Sequence, residues 1–167
     1  MFSFTRKTDY ALVALATLAE ERAESTQPGR LSARQISERH AMPLPLLMNV
    51  LKDLVSGGLV TSTRGSKGGY SLARSPEGIS VNDVVAATEG PVKVTACCGE
   101  EESTPCSDCR VVVTCPVTRS LRHLNDRING FLSEVTLADM IEDHRDGKER
   151  MPISDIRLEF RPLPEEG

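Results

Sequence analysis

Between Leu31 and Ala73 the chain changes its hydrophobic period, and that change constrains the fold more than any other feature. Leu31-Ser32-Ala33-Arg34-Gln35-Ile36 has the pattern of a helix start. Ser32 can cap the N–H of Gln35 while the Gln35 side chain reaches back, with Leu31 and Ile36 as a hydrophobic staple. This helix is expected to end near His40, and Ala41-Met42-Pro43 forms a turn. The next helix runs from about Leu44 or Pro45 to Ser56, with Pro45 tolerated in its first turn. Leu47, Val50, Leu51, Leu54 and Val55 make its inner stripe, and Gly57-Gly58 terminates it. The period then falls to two. Leu59–Thr63 and Tyr70–Ala73 read as short strands joined by the basic, glycine-rich tip Arg64-Gly65-Ser66-Lys67-Gly68-Gly69. Two short helices, a tight turn and a basic hairpin, in that order, make a winged helix-turn-helix rather than a generic small α+β domain. A phosphate loop is rejected because no Gly-Lys-Ser/Thr follows at the required spacing.

The flanking segments are helical. A first helix is predicted from about Thr5 to Ala23, apolar nearly all round and so buried on more than one face. Ile79-Ser80-Val81-Asn82-Asp83-Val84 repeats the capped start, and that helix ends near Glu89 at Gly90-Pro91. A long helix is predicted from about Pro116 to Glu134. Val117, Leu121, Leu124, Ile128, Phe131, Leu132 and Val135 form a seam for lengthwise packing on another helix. A short helix begins at Thr136. The expected fold is therefore mainly α with a small β-hairpin wing, a winged helix-turn-helix plus a long C-terminal dimerisation helix. The expected divisions are a DNA-binding domain over 1–90, a cysteine-rich loop over 91–115, the long and short helices over 116–143, and a largely disordered tail over 144–167. In that tail Ile153, Ile156, Leu158 and Phe160 leave room for a docked strand.

Cys97, Cys98, Cys106, Cys109 and Cys115 are the only cysteines, and they fall in one stretch that also carries Gly99, Pro105 and Pro116. Such a cluster points to a loop holding a metal or redox centre. No apolar run approaches the ~18 to 20 residues needed to cross a bilayer. The N-terminus lacks the order of a signal peptide. A cytoplasmic setting is expected, where thiols stay reduced and metal chemistry prevails over a disulfide framework. Thiolates suit both iron–sulfur clusters and zinc. Cys106-x2-Cys109 resembles half of a zinc site that Cys98 and Cys115 could complete. Catalytic thiol chemistry is disfavoured because no histidine adjoins the loop, and an enzyme is not expected. His123 lies on the long helix, while His40 and His144 read as solvated.

The net charge of −4 conceals an asymmetry: residues 1–74 hold ten Lys/Arg against six Asp/Glu, and the rest hold ten against eighteen. A basic half is compatible with nucleic-acid binding. In a winged helix the third helix enters the major groove, and the wing follows the backbone or the adjacent minor groove. Arg64 can insert in a narrow groove or grip phosphate bidentately, with Ser62 and Lys67 as phosphate contacts. Met48, Asn49 and Lys52 lie on the outer helix face, Asn49 being best able to read a base edge. The bland alternative for these helix residues is a solvated face.

With these motifs in hand, the chain resembles the iron–sulfur-sensing winged-helix repressors of bacteria, the type of IscR, NsrR and the SUF-operon regulator. The resemblance covers residues 1 to about 143. It rests on Gly58-Leu59-Val60-x-Ser62-x-Arg64-Gly65-x-x-Gly68-Gly69-Tyr70-x-Leu72-Ala73, on Asp83-Val84-Val85-x-Ala87-x-Glu89-Gly90, on the cysteine loop and on Val135-Thr136-Leu137-Ala138-Asp139. It implies a homodimer with crossing long helices, here through Leu121, Leu124, Ile128 and Leu132, that reads a two-fold symmetric double-stranded DNA operator. It also implies a cluster, usually [2Fe–2S], held by three cysteines and a variable fourth ligand. Cys109-x5-Cys115 matches the last two members of the common Cys-x5-Cys-x5-Cys spacing, but Ser103 stands where the first should fall. Cys98 or Cys106 is left to supply the third thiolate. Thr118 occupies the position of the IscR-type histidine, and Asp9 the position of an aspartate ligand from the partner chain in the NO-sensing type. Without the resemblance, Asp9 is a favourable partner for a helix N-terminus. A glutamate of IscR-type proteins is replaced by Met48, so their base preference does not carry over. The expected function is a repressor-type regulator sensing cluster status, NO or redox stress. A zinc-stabilised DNA- or protein-binding adaptor without redox sensing is the alternative.

Overall fold

Three helices of this chain begin in the same way, with a hydroxyl residue answered three positions later by a side chain that bonds back. Ser32 accepts from Gln35 N–H and Gln35 returns the bond, starting α2 (Ala33–Arg39). Ser80 and Asp83 repeat the exchange at the start of α4 (Val81–Glu89). Thr136 and Asp139 do so before α6 (Leu137–Asp146). Each exchange satisfies amide donors that a helix start otherwise leaves open. These elements come from a computed structural model that describes residues 4–24, 29–65, 68–95 and 114–146. The other elements are α1 (Arg6–Glu24), α3 (Leu44–Ser56), β1 (Val60–Thr63), β2 (Gly69–Leu72), a 3-10 turn (Pro76–Gly78) and α5 (Thr118–Glu134).

Two local devices shape the helix-turn-helix. The turn between α2 and α3 is made by Ala41, a non-glycine residue at φ 51°. Met42 N–H then bonds back to Ser37 O at 3.0 Å, and the Met42 side chain is buried. At the end of α3, Gly58 adopts φ 68°, with Gly58 N–H on Val55 O (3.1 Å) and Leu59 N–H on Leu54 O (3.0 Å). This is the Schellman arrangement, and its left-handed residue favours glycine. It turns the chain directly into β1.

The two strands pair antiparallel with Ser62 opposite Tyr70, forming the wing. Leu31 joins as a third rung: its N–H bonds Tyr70 O (3.1 Å) and its O accepts from Tyr70 N–H (2.8 Å). The wing is thus tied to the entrance of α2. Ala11, Ala14, Leu15 and Leu18 of α1 fill the centre of the main core. They are joined by Ile36, Leu47, Val50, Leu51, Leu54, Leu59 and Ile79, and by Leu137 from α6. α1 packs on α3, α4, β2 and α6, the many-sided burial that its composition predicts, although Val13 remains 37% exposed. A second, smaller cluster joins Val81, Val85 and Val92 to Leu132 of α5, with Phe4, Ile128 and Val135 at its edge.

The long helix starts two residues later than the sequence predicts. Pro116 and Val117 form a turn, and Val117 has a non-helical φ of −106°. Val117 is the N-cap residue and makes no side-chain capping bond, and Cys115 stands two residues before it. The expected disordered tail, apart from its first residues in α6, lies outside the described residues, as do Gln27 and Pro28 after α1. Among the described residues no helix is long and apolar enough to cross a membrane.

Candidate functional site

The amphipathic pattern of α3 buries Leu47, Val50, Leu51 and Leu54 and leaves Met48, Asn49 and Lys52 exposed on the opposite side. Met48 is 51% exposed on a helix whose inner face is complete. β1 presents Ser62 outward, and Arg64 follows it, also exposed. The predicted DNA residues that the structure describes, Met48, Asn49, Lys52, Ser62 and Arg64, are therefore all exposed. Lys67, at the tip, lies outside the described residues. Arg34 on α2 pairs with Glu38 at 3.7 Å, both exposed, and such a pair contributes little stability. His40, expected to be free in solvent, is exposed but bonded: its Nε2 lies 2.8 Å from Thr17 Oγ1, fastening the helix-turn-helix corner to α1.

Of the expected metal ligands, Cys115 and Asp9 are described, while Cys98, Cys106 and Cys109 lie outside the described residues. Among the described residues no three His, Cys, Asp or Glu side chains come together. Cys115 sits at the entrance of α5, where the Thr118 side chain, followed by the backbone of Val117, holds its thiol below the ordinary value. A thiol biased toward thiolate is the state in which cysteine binds iron or zinc. At the other end of the cysteine segment, Asn125 Oδ1 accepts from Val94 N–H (3.0 Å) and Asn129 Nδ2 donates to Val92 O (3.2 Å). The chain before the segment is thereby held on α5, and the chain after it enters the same helix at Thr118. A lowered thiol and a thiolate-rich donor set fit an iron–sulfur cluster or a zinc ion. Asp9 is exposed in the first turn of α1 and free to reach outward.

The seam predicted on α5 divides in two. Leu132, 7% exposed, packs on α4 within its own chain, and Ile128 leans on the same cluster. Leu124 (46%) and Phe131 (48%) lie on the other flank, open to solvent, with Val117 exposed at the helix entrance. Leu121 is intermediate.

The sequence reading missed an exchange of caps between α1 and α4. Lys7 Nζ donates to Thr88 O (2.6 Å) at the C-terminal end of α4 and pairs with Asp53 of α3 at 2.7 Å. In return Glu89 Oε1 accepts from Thr5 N–H (3.1 Å), from the Thr5 hydroxyl (2.9 Å) and from Thr8 Oγ1. A cation at a helix C-terminus and an anion at a helix N-terminus each satisfy the local dipole. The Thr8 hydroxyl, foremost, holds the Glu89 carboxyl below its ordinary value. The only sequence signal was a lysine and two threonines at the start of α1, where the Thr5 hydroxyl also accepts from Lys7 N–H (3.2 Å) as an N-cap.

Comparison with known proteins agrees with this geometry. Residues 4–143 match the Rrf2 family, described as an iron-dependent transcriptional regulator. An rrf2-like HTH-type transcriptional regulator of Rhodobacter capsulatus is 33% identical over 137 residues, 82% of this chain and 91% of that protein. The HTH-type transcriptional regulator IscR of Photobacterium profundum is 36% identical over 141 residues, 84% of this chain and 76% of that protein. Among solved structures, CymR, the global cysteine regulator of B. subtilis, superposes with a TM-score of 0.63 at 26% identity, covering 85% of this chain and 98% of CymR. T. potens IscR gives the same TM-score at 28% identity, covering 92% and 96%. These relatives are regulators rather than enzymes, and their winged-helix architecture is the one found here. The chain belongs to the Rrf2 family of DNA-binding transcriptional regulators.

Proposed function

We propose that this regulator acts as a homodimer that senses the state of an iron–sulfur cluster, of [2Fe–2S] type. Cys109, Cys115, one of Cys98 and Cys106, and Asp9 would hold it. The observation that carries the reading is that Val92 and Val94, before the cysteine segment, bond to Asn129 and Asn125 of α5 while Cys115, at its other end, leads directly into the same helix. The family's description as iron-dependent and the IscR relatives support it. When bound, the cluster would supply a labile group, sensitive to NO, oxidants or iron scarcity, whose loss would change the charge carried by its thiolate ligands. The chain's own residues do the rest. Asn49, Met48 and Lys52 face a major groove, and Arg64, Ser62 and Lys67 grip phosphate or the adjacent minor groove. The open flank of α5 pairs two copies, so that two recognition helices meet half-sites of a symmetric operator about one helical turn apart or a multiple of it.

The test is the visible spectrum of anaerobically purified protein with iron and sulfide assays, repeated for Cys115→Ala. A brown or red chromophore lost in Cys115→Ala supports the reading, and full retention of the cluster in that variant refutes it. The Cys106-x2-Cys109 knuckle favours a second reading, a zinc-stabilised adaptor without redox sensing. Colourless protein with stoichiometric zinc supports that one.

A further inference from the structure

We propose that Lys7 is a positioning residue that couples the root of the cysteine segment to the recognition helix, an inference that rests on the cluster-sensing reading above. One ammonium group holds two elements. It donates to Thr88 O in the last turn of α4, immediately before Gly90 and the stretch leading to the cysteines. It also pairs with Asp53 on α3, one turn beyond Asn49 and therefore its neighbour on the helix surface. Both side chains of the pair are about two-thirds covered (37% and 34% exposed), which screens it less than a surface ion pair. Past Gly90 the chain is pinned on α5 by Asn125 and Asn129. The root of the cysteine segment thus lies between the Asn pair on one side and Lys7 on the other.

The two contacts measure 2.6 and 2.7 Å. Hydrogen bonds of this kind are lost once the atoms separate beyond about 3.5 Å. A separation of the end of α4 from α3 beyond about 1.7 Å therefore exceeds what the shared ammonium can bridge and releases Thr88 O or Asp53. Loss of Lys7 does not by itself undock α1, because Glu89 still holds Thr5 and Thr8 and the apolar core of α1 is untouched. Coupling and folding are separable at this residue.

The experiment uses the full-length protein, prepared anaerobically, with Lys7→Met, Asp53→Asn, the double variant and Lys7→Arg. Operator and random-sequence DNA binding are followed by fluorescence anisotropy before and after cluster removal, alongside visible spectra and hydrogen exchange of the α3 amides. In Lys7→Met the ratio of cluster-loaded to cluster-free operator affinity should move about tenfold toward one, a mid-range coupling. The spectrum and random-DNA affinity should hold within about twofold, and the α3 amides should stop responding to cluster loss. Asp53→Asn should reproduce this, the double variant should add nothing further, and Lys7→Arg should restore part of the ratio. An unchanged ratio in Lys7→Met, or loss there with full retention in Asp53→Asn, would overturn the coupling. A wild-type protein without chromophore, or one whose operator affinity ignores its cluster, would instead overturn the cluster-sensing reading, and the coupling with it.

Discussion

Replacing Leu124 and Phe131 together by glutamate should abolish the proposed dimer and leave the protomer folded. Both side chains sit on the open flank of α5, 46% and 48% exposed. Exposed substitutions away from packed contacts usually change stability by no more than about 0.5 kcal/mol. Fully burying a Leu or Phe is worth about 1.5–3 kcal/mol, so the exposed half of each has about 1 kcal/mol left to gain from a partner. Two residues on each of two protomers make about 4 kcal/mol, roughly a thousandfold in the dissociation constant of the dimer. The introduced carboxylates oppose burial further. Sedimentation velocity at micromolar protein should report monomers, far-UV circular dichroism should be unchanged, and operator affinity should collapse. Leu132→Ala is the contrast, since that side chain is 7% exposed against Val81, Val85 and Val92. It should destabilise the protomer by about 2–3 kcal/mol, the lower part of the range for core truncation, because a small cluster can relax. A double glutamate variant that stays dimeric would remove this flank from the interface. One that unfolds would show that the flank belongs to the protomer core.

Arg64→Ala should weaken operator binding by about 1–3 kcal/mol, while Lys67→Ala should lower affinity for all sequences and flatten the salt dependence, both read by titration at two salt concentrations. Gly57→Ala would bring a new Cβ within 2.7 Å of the Ala87 Cβ, so α3 and α4 must separate slightly. A cost of about 1–3 kcal/mol should appear as a lower Tm. Ala41→Gly, relieving a left-handed non-glycine residue at φ 51°, should raise stability by up to about 1 kcal/mol in urea unfolding. Glu89 has a folded-state pKa depressed chiefly by the Thr8 hydroxyl, so its contribution is present above the ordinary glutamate value and is lost as pH falls through the lowered one. The Tm of wild type should therefore fall more steeply below about pH 4.5 than that of Glu89→Gln. Parallel curves would place no weight on the Glu89 interlock.

The elements of this fold whose determinants are local were legible in the sequence. Ser32 with Gln35, Ser80 with Asp83, and Gly57-Gly58 after α3 act across three or four residues, so the order of helices, turn and wing followed from neighbours alone. The cysteine spacing points to thiolate metal chemistry, iron–sulfur or zinc, because ligand type is a property of the residues themselves. Periodicity, however, identifies which residues share a helix face and says nothing of what covers it. The α5 stripe read as one seam, and packing assigned Leu132 and Ile128 to α4 while leaving Leu124 and Phe131 open. The exchange of Lys7 and Glu89 between α1 and α4 spans 81 residues or more, and Leu31 meets Tyr70 across the whole helix-turn-helix. Those bonds depend on where two helix ends and two strands arrive in space. Their geometry is set by the shared core, and no spacing along the chain encodes it.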